Sequence, residues 1–182
     1  MTPTVAVCGT GTPLSPDLAR HAHALGAALW QAGFTIITGG LGGVMEAACR
    51  GAFEARAQAG DVEASAARGR LIVGILPGAD KLGANRYCDL VIPTGLGEAR
   101  NLLVVRSADV VVLVAGGAGT LAEAALAWQL GRPLLALVPT GGWAAALAGR
   151  AVDDRRPGAV EPVHSAAEAA ARARELVAAR GV

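Results

Sequence analysis

Short aliphatic, β-branched runs alternate along this chain with longer Ala-rich stretches, the order expected of βαβ units. The runs are Thr4–Cys8, Phe34–Thr38, Leu71–Leu76, Leu90–Ile92, Val110–Val114, Pro133–Val138 and Val160–Val163. Several are apolar without alternation, as parallel strands covered on both faces should be. Helices are expected between them. The first follows Ser15-Pro16-Asp17, with Ser15 as N-cap and Pro16 as first helical residue, and ends at Gly33. Others span Gly43 to Gln58, Glu98 to Ser107, Thr120 to Leu130, and Ser165 to Arg180, the last opened by a capping box between Ser165 and Glu168. Gly141–Arg150 reads as a short helix, Asp61–Arg70 as a mobile polar connector, and Asp153–Gly158 as a surface turn. No repeat or linker divides the chain.

The predicted fold is therefore a single α/β domain over all 182 residues, a doubly wound, Rossmann-like and mostly parallel sheet of about six or seven strands flanked by helices. Hydrophobic residues make up 53% of the chain but aromatic residues only 3%, so the core must be aliphatic. A formal net charge of +1 gives no electrostatic footprint for nucleic acid or an anionic membrane. Three cysteines without CxxC spacing (Cys8, Cys49, Cys88) fit a reducing compartment rather than a disulfide framework. His21 and His23 diverge on a helix and His164 stands alone, so no metal site is expected. The N-terminus lacks the pattern of a signal peptide and no apolar run reaches membrane-span length, which makes the expected location cytoplasmic.

Sheets of this kind bind ligands beyond the carboxyl ends of their strands, where strand order reverses. Three strands end in glycine-rich loops that lead into helices: Gly9-Thr10-Gly11 after the first, Gly39-Gly40-Leu41-Gly42-Gly43-Val44-Met45 after the second, and Gly116-Gly117-Ala118-Gly119-Thr120 after Val110–Val114. Helix N-termini present unpaired N–H groups and partial positive charge, and glycines let phosphate oxygens approach closely. One such loop can be merely a tight turn; three in one sheet point to a phosphate site. The dinucleotide fingerprint fails, because Leu14 stands where its third glycine should fall and no carboxylate closes the second strand. Lys81, the single lysine, follows no P-loop, so ATP hydrolysis is not expected either.

Gly39–Met45, the stretch Leu96-Gly97-Glu98-Ala99-Arg100-Asn101, and the run from Gly116 to Glu123 together resemble the LONELY GUY superfamily of Rossmann-like proteins, once labelled lysine decarboxylases. The phrases GGLGGVMEAACRGA, VGILPG, TGLGEARN and GGAGTLAEAALAWQLGRP, with Asn85 and Tyr87, resemble most its molybdenum-cofactor carrier branch. A decarboxylase using pyridoxal phosphate needs a Schiff-base lysine, and Lys81, in an irregular loop after Pro77-Gly78, is a poor candidate. The enzymatic branch hydrolyses the N-glycosidic bond of cytokinin nucleoside monophosphates with an Arg and a Glu in the pattern R-K followed by P-G-G-x-G-T-x-x-E. Arg100 and Glu123 match those two positions, but Ala115 replaces the motif's Pro, Asn101 its Lys, and Glu46 stands where the enzymes have Gly after Met45.

The resemblance implies a carrier that binds a phosphate-bearing nucleotide-type molecule, a nucleoside monophosphate or the molybdenum cofactor, with no cofactor required for its own action. The ligand-binding set would comprise Gly9, Thr10, Gly11, Gly39, Gly40, Gly42, Gly43, Met45, Arg100, Asn101, Gly116, Gly117, Gly119, Thr120 and Glu123. The alternative is a phosphoribohydrolase in which Arg100 grips phosphate or ribose while Glu123 stabilises oxocarbenium character and orients water. A third is a nucleotide sensor acting through an oligomer surface. Trp30, Trp128 and Trp143 are expected in packing rather than base stacking and Cys8 in the core, while Asn85, Arg86 and Tyr87, in the loop before Leu90, are lesser candidates for ligand contact. The Ala-rich helix at Thr120–Leu130, apolar on more than one face, suggests a homodimer or homotetramer.

Overall fold

The computed structural model describes residues 2–60 and 69–181. The connector expected over 61–70 falls, from 61 to 68, outside the described residues. Among the described residues seven strands form one sheet: β1 (Thr4–Gly9), β2 (Thr35–Thr38), β3 (Ile72–Leu76), β4 (Leu90–Pro93), β5 (Val110–Val114), β6 (Leu134–Leu137) and β7 (Glu161–Val163). Their spatial order is β4-β3-β2-β1-β5-β6-β7, and every pairing is parallel. The chain thus winds outward from β1 to β4, crosses back to lay β5 against β1, and winds outward again. That reversal opens a crevice at the carboxyl ends of β1 and β5, the place where such sheets hold ligands.

Six helices cover the sheet among the described residues: α1 (Pro16–Gln31), α2 (Val44–Gln58), α3 (Asn101–Arg106), α4 (Ala118–Gln129), α5 (Gly142–Leu147) and α6 (Ala166–Ala179). The two caps foreseen in the sequence are made: Ser15 Oγ accepts from Leu18 N–H, and Ser165 Oγ accepts from Glu168 N–H. Side chains alternate across the strands, and each set meets its own helices. Val5, Val7, Val110, Val112 and Val114 pack with α1, α2 and α6, whereas Ala6, Cys8, Val111 and Leu113 pack with α3, α4 and α5. The strands are apolar on both faces because both are covered, and each fully buried Val or Leu contributes on the order of 1.5–3 kcal/mol.

The expected helix at 98–107 is divided, with a 3₁₀ turn at Gly97–Arg100 leading into α3. Trp30 and Trp128 are buried in packing and Trp143 is partly exposed. No helix among the described residues is long and apolar enough to cross a membrane.

Candidate functional site

A cavity of about 320 Å³ lies in the crevice between β1 and β5, within the size range of small-molecule sites. Gly9, Thr10 and Gly11 form one wall, at the end of β1. Gly117, Ala118, Gly119 and Thr120, the first turn of α4, form the opposite wall. In that turn Leu121 N–H is the first to return to a helical carbonyl, that of Gly117, so the N–H groups ahead of it have no intrahelical partner. Arg100, Asn101 and Glu123 lie deeper, and Leu41, Met45 and Glu98 complete the lining.

The polar floor is buried. Arg100 and Glu123 have side chains only 8% exposed, and their Nη1 and Oε1 atoms stand 3.8 Å apart. Arg100 Nη1 also donates to the Asn101 side-chain oxygen, while its Nε has no partner among the described residues. A guanidinium lining the cavity suits an anionic ligand oxygen. Burial is the main cause that pushes the Glu123 carboxyl up to about 7; the Arg100 charge and a hydrogen bond with the Cys8 thiol pull the other way, and the Glu98 charge adds to the rise. At neutral pH Glu123 therefore populates both forms, able to donate as well as accept. Cys8, at the end of β1 beneath this pair, is fully buried, and burial followed by the Glu123 charge holds its thiol protonated. It is a packed thiol rather than a nucleophile.

The second glycine loop has a different task. Gly43 takes a positive φ of 66° and caps α2, whose first N–H, that of Val44, donates to the Thr10 carbonyl at 2.9 Å. A Cβ on Gly43 would meet that same carbonyl at 2.3 Å, so only glycine permits the approach. Gly39 lies against the Arg100 guanidinium: a Cβ there would meet Arg100 Nη2 at 2.4 Å and Met45 Sδ at 2.8 Å. Gly40 N–H donates to Thr38 Oγ1, and Asn85 secures the loop from outside, donating from its backbone to the Gly40 carbonyl and from its side chain to the Leu41 carbonyl. Gly116, in turn, packs against the Thr120 side chain.

Of the residues singled out in the sequence, Gly9, Thr10, Gly11, Met45, Arg100, Asn101, Gly117, Gly119, Thr120 and Glu123 line the cavity, whereas Gly39, Gly40, Gly42, Gly43 and Gly116 are outside its lining. Asn85 and Tyr87 are not in the lining; Asn85 supports the second loop instead. Glu46 lines a neighbouring depression with Arg50 and Pro13. Leu41, Glu98 and Ala118 were missed as lining residues. They sit inside the three motifs already identified, so position in the motif was the available signal.

The loop after β5 departs from the P-G-G pattern for a visible reason. Ala115 has a φ of 48°, which proline cannot adopt, and its N–H donates to Thr140 Oγ1 at 2.8 Å.

Known proteins share this fold. An uncharacterized protein of Archaeoglobus fulgidus is 36% identical over 135 residues, which are 74% of this chain and 80% of that one. The solved molybdenum cofactor binding protein of the phototrophic bacterium Rippkaea orientalis has a TM-score of 0.78 at 29% identity, covering 97% of this chain and 98% of its own. The molybdenum cofactor carrier protein MCP of Chlamydomonas reinhardtii gives 0.75 at 30%, covering 97% of this chain and 99% of its own. The carrier-like branch suggested by the motifs is thus the one found. With residues 2–170 matching the family model, the chain belongs to the SLOG cluster4 family.

Proposed function

We propose that this protein is a carrier for a phosphate-bearing small molecule of the molybdopterin type, held in the crevice between β1 and β5. The observation that carries this reading is a cavity walled by the first turn of α4 and the Gly9–Gly11 loop and floored by Arg100, in a fold shared along nearly its whole length with molybdenum cofactor carriers. Unpaired N–H groups at a helix start, a partial positive charge and a guanidinium are the donor set that a phosphate monoester requires. Neutral Glu123 can donate a further hydrogen bond, and its protonation removes a negative charge that would oppose the phosphate. Gly39 leaves room for the guanidinium, since a Cβ there would meet Arg100 Nη2 at 2.4 Å. Binding and release, with no bond made or broken, is all that this machinery needs.

The test is anaerobic loading of the purified chain with molybdenum cofactor, followed by gel filtration and measurement of co-eluting molybdenum and pterin fluorescence. The expected result is stoichiometric retention in the wild type and its loss in Arg100→Ala.

One observation favours a second reading. Arg100 and Glu123 meet in the cavity, 3.8 Å apart, as a phosphoribohydrolase would need. An ionised Glu123 would stabilise positive charge on a ribose while the base departs. Free base released from AMP, abolished by Glu123→Gln, would establish that activity.

A further inference from the structure

We infer that Cys49 and Cys88 form a reversible two-electron redox site, a thiol pair that hydrogen peroxide closes to a disulfide, and that its closure is felt at the second glycine loop. Neither cysteine lines the cavity between β1 and β5, so the site stands whatever that cavity binds.

The sheet brings the two sulfurs together from different parts of the chain. Thr38 on β2 and Gly74 on β3 are register partners, and neighbouring strands lie about 4.8 Å apart. Both residues fall on the face that α2 covers, two places after Ile36 and Ile72. Cys49, on α2, sets its sulfur 3.5 Å from Thr38 Oγ1. Cys88, just before β4, sets its sulfur over Gly74, where a Cβ would meet it at 2.8 Å. The missing side chain at Gly74 is what admits the second sulfur. The thiols are thus neighbours in one layer, and they hydrogen-bond with each other. Asn85 joins the group, its Oδ1 accepting from the Cys88 thiol at 3.5 Å. Cys49 is fully buried and Cys88 partly exposed, so a small reagent enters at Cys88. Cys8, the third thiol, packs on the opposite face of the sheet.

The hydrogen bond from Cys88 draws the Cys49 pKa down against the opposing effect of burial, with Thr38 and Asn85 adding to the fall and the Asp89 charge resisting it; the same pairing holds Cys88 up. The two sulfurs therefore share their first negative charge, and a proton passed from Cys88 to Cys49 moves it to the exposed sulfur. The Cys88 thiolate attacks one peroxide oxygen: an S–O bond forms, the O–O bond breaks, and hydroxide leaves. That hydroxide takes the Cys49 proton and becomes water. The Cys49 sulfur then attacks the Cys88 sulfur, the S–S bond forms, and the S–O bond breaks with release of hydroxide. The sulfurs give up two electrons and the peroxide takes them. Closure also removes the hydrogen that Cys88 donates to Asn85. Asn85 in turn donates to the carbonyls of Gly40 and Leu41, so the second glycine loop registers the change.

The experiment treats the reduced, folded full chain with hydrogen peroxide, then unfolds it in the presence of a thiol-alkylating reagent and measures intact mass and linked peptides. The chain has three cysteines, so the expected product carries one alkyl group, on Cys8, and a Cys49–Cys88 cross-link that dithiothreitol reverses. In the same treatment ¹⁵N-labelled wild type should shift its Gly40 and Leu41 amides, and Cys88→Ser should form no cross-link and leave both amides still. The wild-type product is read directly, so the result does not depend on how well a variant folds. Three alkylated cysteines after treatment would overturn the site. So would sulfinic acid building up on Cys88 beside a free Cys49, or a cross-link between two chains. The same mixture of pairings from folded chain and from chain oxidised in urea would overturn it too, since the fold would then not select the pair. A Cys49–Cys88 disulfide without movement at Gly40 or Leu41 would overturn the link to the glycine loop.

Discussion

The chain contains two glycine loops of nearly the same wording, GGLGGVMEA after β2 and GGAGTLAEA after β5, and the fold uses them for opposite purposes. At the start of α2 the first N–H is given to the Thr10 carbonyl, and the loop is tied down by Thr38 and Asn85. At the start of α4 the N–H groups ahead of Leu121 line an open cavity. The difference follows from strand order. The α4 start stands at the reversal between β1 and β5, whereas α2 follows β2, whose neighbours β1 and β3 belong to the same outward winding. A glycine-rich helix start can serve as an anion site only where topology leaves its donors unused.

Substitution should separate the two loops. The largest effect is expected at Gly43, where a side chain would be forced into a positive φ and against the Thr10 carbonyl. Gly43→Ala should cost on the order of 2–4 kcal/mol in denaturant unfolding, since both backbone strain and a clash with main chain contribute.

Next in size is the pH dependence created by Glu123. Its folded pKa, about 7, lies above the ordinary 4.5, so the folded state holds its proton more tightly than the unfolded state does. That stabilisation is complete below about 4.5 and disappears as pH rises through about 7. Wild-type stability should fall by up to about 3 kcal/mol across that window, and the fall should be largely absent in Glu123→Gln. Equal slopes in the two proteins would refute the assignment.

Arg100→Ala removes the buried cation from the floor. It should weaken binding of a phosphate monoester by about tenfold to a hundredfold, as loss of a charge-assisted pair does, measured by calorimetry.

The smallest effect on folding belongs to the open loop. A Cβ at Gly119 would meet nothing within 4 Å. Gly119→Ala should therefore leave stability unchanged or raise it by about 0.5–1 kcal/mol while crowding the ligand wall and lowering affinity. Gly43→Ala losing the fold and Gly119→Ala losing only the ligand would be the clearest statement of the contrast.

Much of this was legible in the sequence because it is local. Val110–Val114 was read as a strand residue for residue, and Ser15 and Ser165 announced their helix starts, since burial pattern and capping are set within a few residues. The motifs also led to Arg100, Glu123, Gly117 and Gly119. What could not be read was the division of labour among the glycines. Gly43 and Gly119 have similar neighbours in the chain, and their roles diverge through Thr10, which is 33 residues from the first and 109 from the second. The role of Asn85 as support for the second loop depends likewise on carbonyls more than 40 residues away. Glu46 adjoins Met45 in sequence yet faces another depression, because consecutive helical residues point in different directions. Ala115 illustrates a change that matters only in three dimensions: its positive φ and its bond to Thr140 mean that the loop has left the backbone path proline would impose.

The most direct test of the central claim is amide chemical-shift mapping while the ¹⁵N-labelled protein is titrated with a pterin phosphomonoester. The account predicts saturable shifts concentrated at Gly9–Gly11 and Gly117–Thr120, with Gly40 and Gly43 nearly still. Shifts centred on Gly40–Gly43, or none at the start of α4, would contradict it.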